Sequence, residues 1–162
     1  MSTIESQYVR SLILDIGITY GIDWSPRMDK PRPYLTAALL CEKVLQENNG
    51  SVSLIRIADK LSYKSIGMPQ GMTPVARIAG FIGLKSGPVI GEHVIKIIAE
   101  NPLGKRQEVA TFPVKFEGKD HGQNLIVHLN LGIENDGLCW FDVVIDDEVL
   151  TRIPLIVARE PS

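Results

Sequence analysis

Beyond residue 33 the chain alternates. Apolar and polar residues exchange places at every second position in short runs, and turn residues break those runs at steady intervals. That period suits half-buried strands. The runs predict strands over 34–45, 52–58, 75–84, 93–100, 107–116, 124–131, 138–145 and 149–157. Within 124–131, Leu125, Val127, Leu129 and Leu131 share one face, and Ile126, His128 and Asn130 the other. Within 138–145, Cys139, Phe141, Val143 and Ile145 face the core, which sends Trp140 and Val144 outward. Asn49-Gly50 reads as a type I′ hairpin turn, because both residues tolerate positive φ. Asp146-Asp147 turns the last two strands, and Pro113 places 107–116 on an edge or at a bulge. Residues 60–74, with Gly67, Pro69, Gly71 and Pro74, read as irregular. About eight short strands with no helix between them predict an all-β fold, an antiparallel β-sandwich of immunoglobulin-like or C2-like type.

The first 32 residues read differently. Leu12, Leu14, Ile16 and Ile18 alternate, Ser2 and Thr3 suit a short helix cap, and Gly17, Gly21, Pro26, Pro31 and Pro33 exclude a long helix. This gives an N-terminal arm over 1–32 and a sandwich domain over 33–162.

Composition narrows the function classes. The chain has 162 residues, 17 basic and 19 acidic, for a formal net charge of -2. That balance argues against a general nucleic-acid binder and against adsorption to membranes through a polybasic face. The run Leu12 to Ile18 is interrupted by Asp15 and has no cleavage signal after it, so the expected location is cytoplasmic.

Candidate chemistry is thin. Cys41 and Cys139 fit two buried thiols acting as small apolar side chains, and no histidine stands near either in sequence. His93, His121 and His128 lack metal-ligand spacing. Asp146-Asp147-Glu148 could serve calcium only with help from Asp120, Glu134 and Asp136, since the ion wants six to eight oxygens. Leu103-Gly104-Lys105-Arg106 lacks the rest of a phosphate loop. No catalytic residue, metal site or cofactor is therefore expected. An outward Trp140 with Val144 covers something, either an arm of the same chain or another chain. Trp24 in the arm and Tyr63, Met68 and Met72 in the 60–74 segment complete the candidate interaction surface.

Two hairpins carry a resemblance. Ala38-Leu39-Leu40-Cys41-Glu42-x-Val44, then Asn49-Gly50-x-x-Ser53-Leu54-Ile55, open the domain. Gly137-x-x-x-Phe141-x-Val143-x-x-Asp146, then Arg152-Ile153-Pro154-Leu155-x-Val157, close it. Together they resemble a bacterial family of uncharacterised small β-sandwich proteins, over roughly residues 33 to 158. The resemblance implies the fold and no activity. Cys139, Trp140 and the long arm depart from its pattern. The reading is a non-catalytic protein-interaction module, with a protein partner or self-association. The alternative is a structural component of a larger, phage-like or secretion-like assembly.

Overall fold

Nine strands carry the alternation into three dimensions: β1 (Tyr34–Gln46), β2 (Val52–Ile57), β3 (Lys60–Tyr63), β4 (Val75–Lys85), β5 (Ile90–Glu100), β6 (Arg106–Glu117), β7 (Gly122–Gly132), β8 (Gly137–Ile145) and β9 (Glu148–Arg159). The computed structural model describes residues 31–64, 69, 71–119 and 121–160. Trp24, Met68 and nearly all of the arm lie outside the described residues.

The strands form two sheets, ordered β2-β1-β4-β7 and β3-β9-β8-β5-β6. The architecture is all-β and sandwich-like, with one sheet curled as a half-barrel. No helix among the described residues is long and apolar enough to cross a membrane.

The inward faces follow the predicted alternation. Leu40, Ile82, Leu84, Val127 and Leu129 of the four-stranded sheet share a core with Ile95, Phe116, Phe141, Val143 and Leu155 of the five-stranded one. Burying such a side chain contributes about 1.5–3 kcal/mol each. Leu125 and Leu131 pack at its margin.

Two expectations need correction. Residues 60–63 are a strand, and β3 runs parallel to β9, with Lys60 opposite Ile156 and Tyr63 opposite Arg159. Four residues are too few to show a period, and the partner lies far downstream, so nothing local marks the strand. The Asn49-Gly50 turn is also of another kind. Only Gly50 takes positive φ (84°). Its N–H donates to the Glu47 carbonyl at 3.0 Å, and the Glu47 N–H to the Ser51 carbonyl at 2.9 Å. Gln46 pairs with Val52, so the loop is too long for a two-residue type I′ turn. The type I′ geometry occurs at Asp146 (φ 46°) and Asp147 (φ 69°), between the paired Ile145 and Glu148.

Candidate interaction surfaces

β8 presents Trp140, Asp142 and Val144 on the outer face of the five-stranded sheet. Trp140 stands between Glu100 of β5 and Pro154 of β9, and Asp142 between Ile98 and Arg152. Arg152 leans along β9, and its guanidinium lies 4.8 Å over the Trp140 ring. Its Nε donates to Asp142 Oδ1 at 2.6 Å, and its Nη2 to Glu100 Oε2 at 2.9 Å. Arg106, on the edge strand β6, donates from Nη2 to Asp142 Oδ2. The hydrogen bond to Asp142, more than the attraction of Glu100, holds the Arg152 guanidinium above its ordinary range. Asp142 is only 2% exposed. An unpaired carboxylate there would cost several kcal/mol, about the effective penalty for desolvating one ion. Two arginines remove that cost.

Trp140 is therefore half-buried beneath a residue of its own sheet. Val144 does point outward but is 4% exposed, so it offers a partner almost no area. It lies on a central strand, with Lys96 of β5 and Val149 of β9 as its cross-strand neighbours. Further along the same face, Leu138 and Ile156 sit opposite each other across β8 and β9, 42% and 49% exposed.

The carboxylates of the acidic turn already have partners. Asp146 Oδ2 meets His93 Nδ1 at 2.5 Å, and its Oδ1 accepts the Val94 N–H at 3.2 Å. Asp147 takes Lys96 Nζ at 3.1 Å, and Glu148 takes Arg32 at 2.9 Å. The bond to Asp147 holds the Lys96 ammonium above its ordinary range. Three carboxylates aimed at three separate partners, His93, Lys96 and Arg32, do not gather the oxygens that calcium requires. Among the described residues no His, Cys, Asp or Glu cluster of three or more is placed to hold a metal.

The other candidates separate. The Tyr63 hydroxyl donates to Asp136 Oδ1 at 2.8 Å, and Arg159 lies 5.8 Å over its ring. Tyr63 thus fastens β3 to the β7–β8 loop rather than standing free in a loop. Met72 is 63% exposed.

Sequence reasoning missed a cleft of about 170 Å³ between the sheets, where β5 turns into β6 and β7 into β8. Val109, Leu131, Ile133 and Phe141 line it, with Cys139 and, at the rim, Lys105 and Glu134. Four strand ends assemble it, so no local signal announces it. Cys139 is half-buried rather than buried, and Cys41 is fully buried on the outward side of β1; both are free. Burial pushes both thiols up, with a backbone hydrogen bond at Lys43 partly opposing this at Cys41. Each is thus further from the thiolate that nucleophilic chemistry needs.

A family model described as a family of unknown function, DUF6941, matches residues 36–158. The chain belongs to that family. The matched span runs from the start of β1 to the end of β9, so the DUF6941 unit is the sandwich itself. No curated protein matches this DUF6941 chain. Among solved structures, a β-glucosidase from Listeria innocua is similar over 81% of the chain, at 10% identity and a TM-score of 0.48. The alkylpurine DNA glycosylase AlkC of Pseudomonas fluorescens, bound to DNA containing an abasic-site analogue, is similar over 54%, at 13% identity and a TM-score of 0.40. The chain spans 17% and 29% of those two proteins. Neither likeness bears on what the DUF6941 chain does.

Proposed function

We propose that this DUF6941 chain is a non-catalytic protein-interaction module on an immunoglobulin-like sandwich. With β2 and β3 set aside, the strand order β1-β4-β7 against β9-β8-β5-β6 corresponds to A-B-E against G-F-C-C′. A fold hosts many functions, so the reading rests on a surface. The observation that carries it is the exposed pair Leu138 and Ile156 beside Trp140, an apolar corner next to the Asp142–Arg152–Glu100 charge network. Protonated thiols and an acidic turn whose carboxylates already have partners favour contact over chemistry.

The test places a photo-crosslinking benzoylphenylalanine at position 138 or 156 of the full chain, with Glu92 as an exposed control. A discrete adduct from 138 and 156, absent from the control, supports the module. Twice the chain mass identifies self-association, and another mass a different protein. No adduct above the control, or an enzymatic turnover abolished by Cys139→Ala, overturns the reading.

A further inference from the structure

The outward side of the four-stranded sheet has a composition of its own. Register places Ile57, Cys41, Ala79 and His128 in one row, and Leu39, Phe81 and Ile126 in the next. An antiparallel sheet with one face in the core ordinarily presents polar residues on the other. Here the middle of the outward face is apolar. Ile57 is 66% exposed and Ile55 39%, whereas Cys41 and Ala79 in the centre of the face are 0% and 1% exposed, so the apolar area open to a partner lies at Ile55 and Ile57, with Phe81 half-buried beside them.

The charges on this face share one sign. Lys43, Arg77 and Lys85 alternate outward on β1 and β4, all exposed. Among the described residues none of the three has an ion-pair partner. No carboxylate holds an outward position on the four strands: Glu42 has the opposite parity and is engaged by Arg56 at 2.6 Å. A chain of net charge -2 thus concentrates fixed positive charge around an apolar floor.

We propose that this face docks an acidic amphipathic segment of a partner protein. Apolar side chains of the segment cover Ile55, Ile57 and Phe81, and its carboxylates meet Lys43, Arg77 and Lys85. The proposal rests on the interaction-module reading and adds a second surface with a stated partner chemistry. Charge complementarity selects the occupant. Phe81 and His128 are the aromatic rings in the two rows, too few to make a stacking platform for single-stranded nucleic acid. Three cations spread over two strands fall short of the four to eight clustered charges, about the number that anionic lipid recognition uses. Strand addition at the β2 edge is disfavoured as well, because Arg56 takes φ 51° there and interrupts the pleat.

The test measures fluorescence anisotropy with the full chain and a labelled amphipathic peptide of about 18 residues, roughly 27 Å when helical. One peptide carries leucine on one face and glutamate on the other; its twin carries lysine in place of glutamate. The acidic peptide is expected to bind, and the lysine twin to bind about tenfold more weakly or worse. Lys43→Glu with Arg77→Glu should lose at least about tenfold in affinity for the acidic peptide. Both positions are exposed, and an unchanged melting temperature confirms the variant's fold. Equal binding of the twins, no binding of the acidic peptide, or an unaffected double variant overturns the proposal. So does tighter binding of a single-stranded oligonucleotide or of phosphatidylserine vesicles. Leu138→Glu should leave peptide binding intact; its loss there would move the contact to the opposite face, overturning this proposal while sparing the module reading.

Discussion

Arg152 Nε donates to Asp142 Oδ1 at 2.6 Å across the β8–β9 pair, and Arg106 reaches the other oxygen of the same carboxylate from β6. Glu100 of β5 accepts from Arg152 as well. The Asp142 carboxylate therefore ties three strands together, and Glu100 adds the fourth, on the side of the sheet that the core does not stabilise.

Asp142→Asn keeps the shape and removes the charge. It should lower stability by about 1–3 kcal/mol, the usual cost of a broken charged hydrogen bond in a buried place. The loss stays below the roughly 3–5 kcal/mol of a stranded buried ion, because both arginines can turn to water. The urea midpoint at neutral pH measures it, and an unchanged midpoint would mean that the network adds nothing net.

Asp147 takes φ 69° at the tip of the last hairpin, and its side chain is 86% exposed. Left-handed geometry costs an L-residue about 1–2 kcal/mol, less for Asp than for most. Asp147→Gly should thus raise stability by about 0.5 kcal/mol despite losing the surface contact to Lys96. A fall in the melting temperature would show that the Lys96 pair outweighs the backbone strain.

Much of this fold was legible because alternation is a local signal. All eight predicted strands match observed ones to within a few residues, and Phe141, Val143 and Ile145 face the core as their period requires. What escaped is non-local. β3 exists only because β9 offers an edge to Lys60–Tyr63, and the cleft exists only where four strand ends meet. Alternation gave the direction of Val144 but not its cover, since β5 and β9 flank it from distant parts of the chain. Arg152 over Trp140 was hidden for the same reason: twelve residues of chain, folded into a hairpin, become one cross-strand diagonal.

Gly137 and Gly50 both take positive φ but differ in their surroundings. A Cβ at Gly137 (φ 137°) would sit 2.9 Å from Pro102 Cβ, whereas at Gly50 (φ 84°) it would meet nothing within 4 Å. The proline ring cannot swing aside. Gly137→Ala should cost about 1–3 kcal/mol, seen as a fall of about 2–4 °C in melting temperature per kcal/mol. Gly50→Ala should cost less. The reverse order would remove Pro102 as the reason for glycine at 137.

Stability should decline in alkali. Burial lifts the Cys41 and Cys139 thiols above the ordinary value of 9.0. The unfolded chain therefore loses these protons at a pH where the folded protein still holds them. Fewer protons on the unfolded state means that stability falls as pH rises, here from about pH 8.5 upward and through the folded values. Below that range the contribution is fully present. Lys96 works in the same direction, because Asp147 keeps its proton on in the fold. The urea midpoint should hold between pH 7 and 8 and drop by pH 10. In Cys41→Ala with Cys139→Ala the same drop should be smaller, whatever the variant's absolute stability. An equal slope in both proteins would show that neither thiol is desolvated as its burial implies.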